Sequence, residues 1–186
     1  MKTLALVPIL CSVGGAAWLV ASPERSEIAG YRSWKKVNAE PHQVFSALAV
    51  QCRMVTAADL AREKAQANPH TDYPKDKFVT VYVNGLGEKP MLRQKNPNFP
   101  VGTIIVKEKL PTPESTSPEL LTVMIKRQKG YNPKVGDWEF MVCDGDGKKI
   151  QARGKLANCQ SCHIGWKATG FVTRTYLSES QLRKLK

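Results

Sequence analysis

Apolar and polar positions fall into three regimes along the chain. After Met1-Lys2-Thr3, residues 4–21 are apolar or small, the charged start and hydrophobic run of an export segment. Pro41 then opens a stretch through Val44, Phe45, Leu48 and Ala49, and Thr56 caps a second over residues 57–67 with Asp59 in its first turn. These patterns predict two helices, ended at Asn68-Pro69. From Phe78 onward β-branched and aromatic residues form short runs between turn formers, a strand signature. The strands are expected at Phe78 to Asn84, Gly102 to Leu110, Leu120 to Lys126 and Trp138 to Cys143. Gly85-Leu86-Gly87, a loop from Pro111 to Pro118 and the stretch from Gly130 to Gly136 separate them. Connections this short favour an antiparallel meander. Asp144-Gly145-Asp146-Gly147 reads as a tight turn, Ala157 to Gly165 as a short helix, and Ser178 to Lys186 as a helical tail capped by Ser178 or Ser180. The fold class is therefore α+β, mainly antiparallel β-sheet with flanking helices.

At 186 residues and 42% hydrophobic, the chain suits one globular unit after the export segment. The expected organisation is a signal peptide or N-terminal membrane anchor over residues 1–21, a polar linker over 22–30 and one domain over 31–186, opened by Tyr31-Arg32-Ser33-Trp34. Leu19 occupies the outer small-residue position of a cleavage site and Pro23 follows closely. The apolar run is also at the short end for a spanning helix, which favours removal but leaves a retained anchor open. Leu10 before Cys11 argues against a lipid anchor. In either case the domain is placed outside the cytoplasm, in a periplasmic or similar compartment. The net charge of +12 is spread along the chain without a recognition motif, which argues against nucleic acid. A solvated surface accounts for it, as does attraction to an acidic redox partner or an anionic membrane.

Cys159-Gln160-Ser161-Cys162-His163 is the C-x-x-C-H pattern of covalent haem attachment. Three positions apart on a helical turn, the two sulfurs emerge on one side and reach two vinyl groups of one porphyrin, while the next residue sets its imidazole beneath the iron. A zinc site needs further thiol or imidazole ligands at paired spacing, and the other histidines, His42 and His70, lie far upstream. A redox dithiol of thioredoxin type would follow a strand near the start of a βαβ unit. Cys52 and Cys143 fit a disulfide or two buried thiols equally. Only 23 residues follow His163, none of them Met or Cys, so no downstream sixth ligand exists. Met91, Met124 and Met141 read as strand core more than as ligands. The expected site is thus one covalently attached haem c with Cys159 and Cys162 as thioether donors, His163 as proximal ligand and an open distal side.

In order along the chain, Tyr31 to Trp34, Thr80-Val81-Tyr82-Val83-Asn84, the run from Phe99 to Glu108, Met124-Ile125-Lys126, Gly136-Asp137-Trp138-Glu139-Phe140 and the haem motif resemble the cytochrome P-460 family and its sister group, the beta-type cytochromes c-prime. The resemblance implies an antiparallel β fold with a C-terminal haem-attachment helix, a homodimer, one five-coordinate haem and an electron-accepting cytochrome as partner. It also implies that Lys107 matches the lysine joined to the porphyrin edge in the P-460 enzymes, which oxidise hydroxylamine to nitrogen oxides. The beta-type proteins bind nitric oxide without that bond. Strand alternation independently puts Thr103, Ile105, Lys107 and Lys109 on one face, where solvated lysine ends are the ordinary alternative. Val79 and Thr122 stand where some members carry an arginine and a carboxylate, which leaves a more apolar distal side suited to gas binding. Phe78, Phe99 and Phe140 are candidates for an aromatic wall, with core packing the commoner fate, and packing beside the haem accounts for Trp138. Hydroxylamine oxidation, nitric oxide binding and simple electron transfer are the three readings, the last requiring a distal ligand.

Overall fold

The computed structural model describes residues 27–44 and 77–186. Alternating β-branched residues build its centre, an antiparallel sheet of seven strands among the described residues, in the order β1-β3-β4-β5-β6-β7 with β2 also pairing β3. The strands are β1 Lys35–Lys36, β2 His42–Val44, β3 Lys77–Val83, β4 Ile104–Leu110, β5 Leu120–Lys126, β6 Trp138–Asp144 and β7 Ile150–Gly154. Helix α1 spans Gly85–Arg93, α2 Ala157–His163 and α3 Glu179–Leu182. The four central strands match the expectation closely, because each presents a run of β-branched, aromatic or other large apolar residues bounded by turn formers. The α+β architecture with its mainly antiparallel sheet is as expected.

Four features differ. Pro41 does not start a helix: His42, Gln43 and Val44 pair with Val79, Phe78 and Lys77 of β3, because an unsatisfied sheet edge outweighs local propensity. Between β1 and β2, the buried Asn38 side chain acts as a piece of strand, donating to the Val79 carbonyl at 2.9 Å and accepting from the Val81 amide at 2.9 Å. Gly85-Leu86-Gly87 is not a bare turn but the start of α1, for which Asn84 supplies the N-cap by accepting from the Gly87 amide at 3.3 Å. The expected linker over 22–30 enters the fold at its end, with Ile28 buried beneath the sheet. Strand β7, with only Ile150 and Ala152 as apolar positions, is too short and weakly apolar to stand out from the turn that precedes it. Ser178 does cap the tail, in a capping box with Gln181. The export segment, the helix expected from Thr56, and Cys11, Cys52 and His70 lie outside the described residues.

The sheet buries both faces. On one, Val81, Val83, Ile105, Met124 and Phe140 join Met91, Trp138, Val172, Tyr176 and Leu177 in a core. On the other, Val106, Leu121, Val123, Ile125, Met141 and Cys143 pack with Ile28. The N-terminal turn is fastened to that second face by the buried carboxylate of Glu108, which accepts from Tyr31 Oη and Arg32 Nε, both at 2.6 Å. Burial, with the Glu108 charge adding to it, pushes the Tyr31 phenol well above its ordinary pKa.

A second fastening is an ion-pair ring. Arg127 donates to Glu139 at 2.7 Å and Glu27 at 3.0 Å, and Arg153 donates to Glu27 at 2.7 Å and Glu139 at 3.1 Å. Burial acts to raise the Glu139 carboxyl, but hydrogen bonds from Arg153 and Arg127 outweigh it and hold the pKa below the ordinary 4.5. A depressed carboxyl contributes stability above its unfolded value, and that contribution is lost as pH falls through its folded value. Thermal melts should therefore show a midpoint that drops as pH falls below about 4.5. Glu139→Gln should melt lower at pH 7 and lose part of that acid-induced drop; an unchanged acid limb would remove Glu139 from the account.

Candidate functional site

Helix α2 carries the cysteine pair across the first sheet face. Its opening turn is drawn in by Gln160, whose amide and side chain donate to the Leu156 and Lys155 carbonyls at 3.0 and 2.8 Å. Cys159, Cys162 and His163 all line a cleft between α2 and the sheet. Val81, Ile105, Met124, Phe140, Val172 and Tyr176 make it largely apolar, and Lys107 and Thr122 add polar groups on its floor.

The register explains that floor. Lys107 pairs with Val81 on one side and Thr122 on the other, and Ile105 pairs with Val83 and Met124. Directly opposed residues share a face, so Lys107 lies on the face that α2 covers. Its ammonium is near enough to act on the His163 imidazole. Lys109, on the same face two residues on, is buried opposite Val79 and Leu120 and does not line the cleft.

His163 is prepared to bind a metal. Its Nδ1 lies 2.7 Å from the Phe171 carbonyl, which fixes the proton on Nδ1 and leaves Nε2 as the free donor. Burial, with Lys107 adding to it against the Phe171 hydrogen bond, lowers its pKa to about 4. The ring is therefore neutral at physiological pH, the form that coordinates. Among the described residues no group of three or more His, Cys, Asp or Glu side chains is placed to hold a bare metal ion. A planar, apolar macrocycle fits instead: two thiols on one helical side, one neutral imidazole and apolar walls are the donor set and surface that haem c needs.

The aromatic candidates separate. Phe140 lines the cleft, its ring centroid 5.2 Å from that of His163. Phe99 instead packs edge-on against Trp138 at 5.4 Å in the core, and Phe78 sits between Gln43 and Leu110. Of the methionines, Met124 and Met141 both border the cleft, Met124 from the face that α2 covers. Met91 is fully buried beside Tyr176, and Met141 packs into the opposite face near Arg153. Glu119 pairs with Lys77 at 2.7 Å outside the cleft. Sequence reasoning missed Val172, Tyr176 and the Phe171 carbonyl, because the 3-10 helix Ile164–Thr169 and the irregular turns that follow it have no periodic pattern to place them.

A family model described as Cytochrome P460 matches residues 28–174, most of the chain. No curated protein matches.

Proposed function

Because the chain belongs to the cytochrome P460 family, a family of haem proteins, we propose that it is an exported cytochrome with one covalently attached haem c that oxidises hydroxylamine to nitrogen oxides. The carrying observation is that Lys107 lines the same cleft as Cys159, Cys162 and His163. In this reading Cys159 and Cys162 would tether the haem, His163 Nε2 would hold its iron, and Lys107 would lie beside the macrocycle as the residue that matches the cross-linking lysine of the P-460 enzymes. The haem would supply a binding position for a small nitrogenous ligand and an electron sink that a partner cytochrome would empty. Hydroxylamine oxidation removes protons with the electrons, and in this reading the Thr122 hydroxyl, which lines the cleft, would relay them outward. The working unit is a homodimer of the periplasm or an equivalent compartment, soluble or tethered by the N-terminal segment.

A second reading, nitric oxide binding without turnover, is favoured by the apolar lining of Val81, Ile105, Met124 and Phe140 and by Thr122 where a proton-accepting carboxylate would stand. One comparison separates the two. The absorption spectrum of the reduced holoprotein is expected to show a strongly red-shifted Soret band that Lys107→Leu abolishes together with hydroxylamine consumption. An ordinary five-coordinate spectrum, unchanged in Lys107→Leu, would make the protein a nitric oxide binder. No consumption of hydroxylamine by the parent protein with an electron acceptor would end the enzyme reading.

A further inference from the structure

The acceptor for the His163 proton does not come from the histidine's own helix. It is the carbonyl of Phe171, a non-glycine residue with φ +65°, directly after Gly170 with φ +66°. A phenylalanine in the left-handed region is strained by the close approach of its Cβ to the following carbonyl, so something must hold it there.

Three contacts do so. The fully buried Trp138 donates its indole N–H to the Gly170 carbonyl at 2.9 Å, pinning the peptide that leads into Phe171. The Phe171 amide donates back to the Trp166 carbonyl at 2.8 Å. The Phe171 ring lies over Gly136, where an added Cβ would stand 2.5 Å from a ring carbon, so only glycine admits it in this pose. Trp138 is itself held, by Phe99 edge-on at 5.4 Å and by the Asn132 side chain donating to its carbonyl at 2.9 Å.

We propose that Trp138 is a positioning residue for the haem ligand: through Gly170 it fixes the strained Phe171 carbonyl, and so sets the strength and direction of the His163 Nδ1 hydrogen bond. Gly136 completes the device by seating the Phe171 ring. A strong acceptor on Nδ1 makes the imidazole a better electron donor to iron, which favours the ferric state. Loosening the carbonyl therefore weakens the iron–histidine bond and favours the ferrous state. This rests on the reading of His163 as proximal ligand.

The test uses holoprotein with Trp138→Phe, which keeps an aromatic ring and deletes the N–H, and with Gly136→Ala, which presses on the Phe171 ring. Resonance Raman of the ferrous form and a redox titration are the readouts. Both variants are expected to lower the iron–histidine stretching frequency and raise the midpoint potential. Val106→Ala, a core change on the opposite sheet face, should lower thermal stability while moving neither readout. Frequencies and potentials equal to the parent's in either loaded variant, or the same shift in Val106→Ala, would overturn the positioning role. If Trp138→Phe does not load haem, Gly136→Ala decides alone. Absence of an iron–histidine band in the parent would instead overturn the ligand assignment of His163.

Discussion

Serine at both Cys159 and Cys162, placed in a Lys107→Leu background, is expected to yield a chain that releases all its haem when denatured, whereas Lys107→Leu alone keeps it. A thioether requires a sulfur nucleophile, and the hydroxyl that replaces it is close in size but does not form the bond. Both sulfurs lie half-buried in the cleft, so the substitutions leave α2 and the apolar walls nearly unchanged. His163 still offers Nε2, because its Phe171 hydrogen bond does not involve the cysteines. Only the tether is lost. A tether of a few bonds holds its group at an effective concentration of order mM even when a contact breaks, and the denatured chain has no cleft to replace it. Either single variant should still retain haem through the remaining sulfur. The check is the mass of the denatured polypeptide with and without its haem. Haem mass on the denatured triple variant would remove the cysteines as the attachment. Haem mass on the double-serine chain with Lys107 intact, lost on adding Lys107→Leu, would mark the separate bond from the lysine.

Gly145→Ala is expected to destabilise the fold by about 3 kcal/mol, which lowers the melting temperature by roughly 10 °C for a domain of this size. The turn after β6 presses directly on the chain before β5: a Cβ on Gly145 would stand 1.8 Å from the Pro118 carbonyl oxygen and 2.7 Å from its carbon. Those are backbone atoms, and the next residue, Glu119, is tied by its amide to the Lys109 carbonyl at 2.8 Å. The backbone must therefore shift as a unit, and the shift enters β5 only a few residues from Thr122 on the cleft floor. Gly147 provides the contrast. It has φ +70°, yet a Cβ there would meet only side-chain carbons of Leu121 and Ile28, at 3.3 and 3.5 Å. Gly147→Ala should cost about 1 kcal/mol, from backbone strain alone. Calorimetric melts of both variants check the order; a Gly145→Ala midpoint within a degree or two of the parent's would show that the turn and the loop before β5 are not in forced contact.

The sequence by itself determined the chemistry-bearing motif, the four central strands and the partition of each strand into two faces, because these follow from spacing along a chain of fixed geometry. Cys159, Cys162 and His163 are neighbours whatever the rest of the molecule does, and alternation separates Lys107 from Glu108 in any strand. Alternation does not say what covers each face. Whether Lys107 met solvent or α2 was decided by how the segment after β7 folds back over the sheet. The same holds for Glu108, whose partners Tyr31 and Arg32 lie more than seventy positions away. Pro41 promised a helix by local preference, and the open edge of β3 drew the next three residues into β2. Phe78, Phe99 and Phe140 are alike as sequence, and only Phe140 reached the cleft. The His163–Phe171 hydrogen bond, with Trp138 behind it, was the least legible of all. It depends on a carbonyl and a positive φ, and a backbone carbonyl leaves no residue-type signal, since every residue has one. Local geometry is written residue by residue, while the choice among compatible faces and partners is made by burial across the whole molecule, where contacts far apart in sequence are settled together.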